Sequence, residues 1–178
     1  SPSNPTGNLL DAGRMAEIAA LGLPVVSDEI YHGLVYGERE HSILEFTDNA
    51  FVLNGFSKAY AMTGWRLGYL IAPKPYIRPM QKIQQNLFIS ANAFVQWAGV
   101  AALREAGPDV DRMRAIYDAR RTFMIRRLRE MGLGISVEPT GAFYVLGNIK
   151  SFSRDSYATA FDILEKARVG VTPGIDFG

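Results

Sequence analysis

Residues 51–72 read FVLNGFSKAYAMTGWRLGYLIA, and the fold is decided by their pattern. Phe51 to Asn54 and Leu67 to Ala72 are short apolar runs of the kind that form buried strands. Between them runs a loop of mostly small residues that carries Lys58 and Arg66. Upstream, Pro24 to Ser27 (PVVS) is a third such run and ends at the acidic pair Asp28 and Glu29. Before that run, Asp11 is placed to cap a helix whose buried stripe is Met15, Ile18, Ala19 and Gly22. Ser1 to Gly7 (SPSNPTG) is a turn dense in Pro, Asn, Ser and Gly. Helix, short strand, long loop and short strand predict an α/β fold, with a mostly parallel sheet and helices on both faces.

Downstream the period changes. A helical stretch is predicted from Tyr76 to Arg104, with Phe94, Trp97, Ala98 and Ala101 on a packing face, ended by Gly107 and Pro108. A second helix is predicted from about Asp109 to Met131, with Met113, Ile116, Tyr117, Met124, Leu128 and Met131 facing a core. The rest reads as strands at 135–138 and 142–146, a helix at 156–167 and a short strand around Val171. This is an α+β pattern. It suggests a second, smaller domain led by a long helix.

Composition narrows the function. The 178 residues are 48% hydrophobic, enough for one sizeable core or two small ones. With 19 basic and 18 acidic side chains the net charge is +1, without the basic excess of a nucleic-acid or membrane-surface protein. The seven arginines between Arg112 and Arg129 read as a solvated helix face. No run approaches the ~18 apolar residues that cross a bilayer. The absence of cysteine excludes disulfides and thiolate chemistry and fits a cytoplasmic protein. His32 and His41 lack metal-ligand spacing and read as loop residues.

Lys58 is the residue with the most chemistry in it. An ammonium is costly to bury, yet a desolvated lysine becomes a usable amine nucleophile toward carbonyl compounds. Gly55, Ser57, Ala59 and Ala61 are small enough to let a flat cofactor approach the backbone. Arg66, eight residues on, offers a guanidinium fork suited to phosphate. On spacing alone, a surface loop with two unrelated cations fits the same residues.

The segment Gly55 to Gly68 resembles, position for position, the lysine-attachment signature of class I aminotransferases. In that signature a small residue precedes the lysine and a Gly-x-Arg-hydrophobe-Gly closes the loop. The longer string SKAYAMTGWRLGYLIAP, Ser57 to Pro73, resembles the aspartate aminotransferase-like subgroup. Asn4 to Gly7 (NPTG) and Asp28 to Tyr31 (DEIY) resemble two further motifs of that family, in family order and spacing. The resemblance implies a fold-type-I enzyme dependent on pyridoxal 5'-phosphate, of which this chain is the C-terminal half: second half of the large cofactor-binding domain, then an incomplete small domain.

It also implies roles. Lys58 would form a Schiff base with the cofactor and later act as general base and acid. Asp28 would pair with the ring nitrogen, where only a carboxylate holds the positive charge well. Tyr31 and Asn4 would hydrogen-bond the ring oxygen, Arg66 would clamp the phosphate, and Ser57 would add a hydroxyl. Relatives often have Ser where this chain has Gly55, three residues before the lysine. Gly141 to Tyr144 (GAFY) resembles the strand at the substrate mouth and equally suits a buried strand.

The implied reaction is amino transfer between an amino acid and a 2-oxo acid by a homodimer. The phosphate-loop glycines, the ring-stacking aromatic and the substrate-carboxylate arginine would all lie outside residues 1–178, so the chain alone is expected to be inactive. Three rivals share these residues: a lyase or decarboxylase on the same fold, a cofactor-binding regulator domain, and a degenerate relative. Intact Asp28, Tyr31, Lys58 and Arg66 speak against the last.

Overall fold

A computed structural model describes residues 1–178. Helix α1 (Ala12–Ala20) starts at Asp11, whose carboxylate accepts the Arg14 backbone N–H at 2.8 Å, as its position predicts. Strands β1 (Val25–Asp28), β2 (Ala50–Gly55) and β3 (Gly68–Ile71) form one sheet in that order. β1 runs parallel to β2 with Asp28 opposite Leu53, and β3 returns antiparallel with Gly68 opposite Gly55. The carboxyl ends of β1 and β2 and the start of β3 therefore share one edge of the sheet. That edge carries both Asp28 and the Lys58 loop.

Met15 of α1 packs with Ile43, Ala50 and Val52 into a buried cluster, with Val25, Leu10, Leu44 and Phe46 around it. The opposite face is only partly covered: Phe51 there meets Tyr76 edge-on at a centroid distance of 5.1 Å, while Val26 is 69% exposed and Leu53 and Leu70 are also exposed. Helices on both faces were expected; in this mixed sheet α1 packs on one face, and on the other α2 (Lys74–Phe88) reaches Phe51 through Tyr76.

The predicted helix from Tyr76 to Arg104 is two helices, α2 (Lys74–Phe88) and α3 (Ala93–Glu105). Ile89 turns to positive φ between them, and Asn92 opens α3 by accepting the Phe94 N–H at 3.3 Å. The expected packing face is also wrong. Phe94 and Trp97 are exposed, whereas Val95 and Gly99 are buried. α3 ends at Glu105, just before Gly107 and Pro108 as expected, and those two residues begin α4 (Gly107–Glu130), where a proline's missing N–H costs nothing in the first turn. Along α4, Ile125 is buried, while Ile116, Met124 and Met131 stay exposed.

Helix α5 (Ser156–Ala167) matches its expected span, with Asp155 as cap. The strands expected at 135–138, 142–146 and near Val171 do not form; single bridges join Val35 to Gly141 and Gly134 to Asn148. The backbone of 139–142 pairs with loops instead of a ladder. Tyr36 N–H donates to the Thr140 carbonyl (2.8 Å), and Ala142 N–H donates to Leu34 (2.8 Å). Thr140 and Gly141 both donate to the Gly7 carbonyl, at 3.0 and 2.8 Å. Leu34, Pro139 and Ala142 are fully buried there. This segment is the clasp that holds the two ends of the chain together.

Candidate active site

The end of β1 is built to present side chains outward. Asp28 lies exposed at the strand's last position, and one carboxylate oxygen accepts the Ile30 N–H at 3.1 Å. That bond turns the chain at once, a local competition with the sheet that Asp makes readily. Glu29 points the other way and is only 2% exposed. Its Oε1 accepts from Ser27 Oγ (3.0 Å), Ser42 Oγ (3.1 Å) and the Ile43 N–H (3.0 Å). Its Oε2 lies 3.5 Å from His32 Nδ1. Glu29 thus nails down the turn from which Asp28 and Tyr31 project.

Tyr31 is 6% exposed, and its hydroxyl lies 2.6 Å from that of Tyr144. Its ring meets Phe143 and Tyr144 edge-on at centroid distances of 5.6 and 5.5 Å. Burial raises its pKa above the ordinary tyrosine value, and the Tyr144 hydrogen bond and the Asp28 charge add to the rise. The phenol therefore stays protonated at neutral pH and remains a hydrogen-bond donor.

Lys58 sits half-buried three residues beyond β2. Its Nζ lies 5.7 Å from the Tyr31 ring centre and 5.8 Å from that of Phe143. It has no carboxylate partner within ion-pair distance; the paired cations are elsewhere. The loop around it is fixed by its own backbone: Ala61 N–H donates to the Lys58 carbonyl (3.1 Å), and Met62 N–H to Phe56 (3.1 Å). Thr63 Oγ1 donates to the Ser57 carbonyl at 2.7 Å. At the loop's base, a Cβ added to Gly55 would stand 3.0 Å from the Gly68 Cα and from the Leu67 carbonyl oxygen. A side chain in place of Gly55 would push β2 and β3 apart, which gives a packing reason for the missing Ser.

Arg66 adopts left-handed backbone angles, and its guanidinium donates to the Thr63 carbonyl at 2.9 Å. It is exposed, with donors to spare, but nothing joins it directly to Lys58. Asn4 is exposed on the 4–7 turn, which docks through the Gly7 carbonyl onto Thr140 and Gly141. The Ser1 nitrogen donates to the Asp28 carbonyl at 2.6 Å, so the segment leading to Asn4 runs beside the end of β1.

The structure thus brings Asp28, Tyr31 and Lys58 to one place and the Asn4 turn to its border. Ser57 and Arg66 share the lysine's loop without touching its amine. Phe143, Tyr144 and Glu29 were missed as site residues. Only the GAFY string hinted at the first two, and nothing local says that residue 144 reaches residue 31. A concavity of about 710 Å3 lies elsewhere, lined by Thr6, Asn148, Lys150 and Arg154 among others, and none of the site residues lines it. No group of three or more His, Asp or Glu side chains is placed to hold a metal, and no helix is long and apolar enough to cross a membrane.

Chemically, the set offers an amine free to attack a carbonyl, a carboxylate with an unshared oxygen, a protonated phenol and a guanidinium. A flat ring with a basic nitrogen, an oxygen substituent and an anionic arm would find one partner for each feature.

The sequence model of the aminotransferase class I and II family matches residues 1–178. A (5-formylfuran-3-yl)methyl phosphate transaminase of Methanocaldococcus jannaschii is 40% identical over 183 aligned positions, which cover 100% of this chain and 48% of that protein. An aspartate aminotransferase of Pyrococcus horikoshii is 41% identical, with 99% of this chain and 47% of the relative covered. An aromatic aminotransferase structure, also from Pyrococcus horikoshii, superposes with a TM-score of 0.94 at 40% identity, covering 100% of this chain and 50% of the other. The chain spans about half the length of the curated relatives it matches, and the α/β fold class read from the sequence holds.

Proposed function

Because the chain belongs to the aminotransferase class I and II family, we propose that it supplies the lysine-bearing part of an enzyme that moves an amino group between an amino acid and a 2-oxo acid. The cofactor of that reaction is pyridoxal 5'-phosphate. The observation that carries this reading is the Lys58 amine, free of any ion pair and set 5.7 Å from the Tyr31 ring, on the sheet edge that also bears Asp28.

The cofactor, when bound, supplies an aldehyde for an amine and an electron-withdrawing ring that acidifies the substrate's α-carbon. The residues present fit it. Lys58 Nζ would hold the cofactor, and the same amine would serve as the base and acid at the substrate α-carbon. The Asp28 carboxylate keeps the ring nitrogen protonated. The protonated Tyr31 phenol and the Asn4 amide donate to the ring oxygen. Arg66 holds the phosphate in its fork, with Ser57 beside it. Residues 1–108 then form part of the cofactor-binding domain and 109–178 part of a smaller domain, in a cytoplasmic homodimer.

The test is borohydride reduction of the full-length protein with pyridoxal phosphate, followed by peptide mapping. The expected adduct lies on Lys58 and vanishes in Lys58→Arg. An adduct on another lysine, or none, overturns the assignment. An absorbance change that an amino acid produces and a 2-oxo acid reverses supports amino transfer, whereas product without that reversible change points to lyase chemistry.

A further inference from the structure

We propose that Tyr144 is a positioning residue for Tyr31, one that donates to the Tyr31 hydroxyl and so strengthens Tyr31 as a donor to the cofactor's ring oxygen. The inference rests on the function proposed above but assigns a residue which that reading does not use.

Two hydroxyl oxygens from residues 113 positions apart stand 2.6 Å from each other. Each hydroxyl has one proton and two lone pairs, so this one bond can run in either direction. If Tyr31 commits its proton to a third oxygen, the direction is settled: Tyr31 can only accept, and Tyr144 must donate. The two hydroxyls then form a chain in which each bond polarises the next. Neither ring is free to swing away. Tyr31 is buried, Phe143 and Tyr144 meet it edge-on, and Phe143 lies against Tyr144 at 4.8 Å.

Tyr144 owes its place to the clasp. The Ala142 N–H bond to Leu34 and the Gly141 N–H bond to Gly7 fix the backbone just before it. The charged and titratable groups facing Tyr31 are therefore Tyr144 from the clasp, Asp28 from the end of β1 and Lys58 from the loop after β2. Asp28 and Lys58 already have work in the proposed reaction. Tyr144 is the one whose contact is with Tyr31's hydroxyl itself.

A stronger donor to the ring oxygen lowers the proton affinity of the atoms around it. Removing the Tyr144 hydroxyl should then raise the pH at which the bound cofactor's visible absorbance titrates. The comparison uses the full-length protein with Tyr144→Phe, Tyr31→Phe and the double variant, each titrated spectroscopically after reconstitution. Phenylalanine keeps the ring and its edge contacts, so the fold is left alone. Tyr144→Phe should move the midpoint up by about 0.1–0.7 pH unit, the share of a charge-assisted hydrogen bond that a polarising neighbour adds. In the Tyr31→Phe background it should add nothing further, a dependence that a merely structural role would not show. An unshifted Tyr144→Phe midpoint, or a full additional shift on top of Tyr31→Phe, overturns the inference. Trapping on Lys58 by borohydride in the same samples keeps the two questions apart: if trapping fails in the parent, the functional reading falls, and if trapping succeeds without the shift, only the role of Tyr144 falls.

Discussion

Replacing Glu29 with alanine would strip the acceptor from three donors at once: Ser27 Oγ, Ser42 Oγ and the Ile43 N–H. The two serine hydroxyls can rotate toward other acceptors, but the Ile43 N–H cannot. Ile43 is 2% exposed, within the cluster of Met15, Ala50 and Val52. An abandoned buried N–H costs about 1–3 kcal/mol, and the lost charge-assisted bonds and vacated volume bring the total to about 3–5 kcal/mol. Glutamine retains an acceptor oxygen of the same reach and should cost only about 1 kcal/mol. Urea unfolding of the full-length protein, followed by fluorescence, reads the difference as a shift of midpoint at unchanged slope. An alanine variant within about 0.5 kcal/mol of the parent, or a glutamine variant as costly as alanine, would refute this role for Glu29. It matters for function because the same turn carries Asp28 and Tyr31.

Two further outcomes follow from contacts of the clasp. Gly7 has φ of +67°, and a Cβ there would meet the Pro139 Cβ at 2.4 Å. Gly7→Ala should therefore lower stability by about 2–4 kcal/mol, from backbone strain and overpacking together. An unchanged urea midpoint would mean that the turn does not dock as described. Tyr36 donates to the Ala142 carbonyl at 2.5 Å, and burial pushes its pKa up to about 12. The folded state holds this proton more tightly than the unfolded chain, whose tyrosines titrate near ~10. Its contribution is thus complete below about pH 10 and is lost as pH climbs toward the folded value. Unfolding midpoints measured across that alkaline range should fall less steeply for Tyr36→Phe than for the parent.

What could be read from the sequence was local. Three short apolar runs gave three strands, and Asp11 gave the start of α1, because strand period and capping chemistry act within a few residues. Lys58, Asp28 and Tyr31 stood out since their motifs are contiguous, and the parallel pairing of β1 with β2 set them on one edge. The misreadings were of context. The run 142–146 has strand composition, but its neighbours are the loops at Gly7 and Leu34, so its backbone bonds there and forms no ladder. Trp97 and Phe94 have the apolarity of core residues, yet Trp97 is 75% exposed and Phe94 meets only the edge of the exposed Trp65. The break at Ile89 depended on Asn92 taking the role of a cap, which helical periodicity does not register. The partnership of Tyr144 with Tyr31 spans most of the chain and has no short-range signature.

The Gly7 carbonyl, shared between the N–H groups of Thr140 and Gly141, has a consequence for the order of assembly. The lysine loop closes on itself within a dozen residues and can take shape early. Tyr144 reaches Tyr31 only when segments more than 100 residues apart have met, and closing so long a span is slow. During synthesis, then, the chain must emerge past Tyr144 before the hydroxyl pair can form, so the Lys58 loop is exposed on the nascent polypeptide before its surroundings are complete.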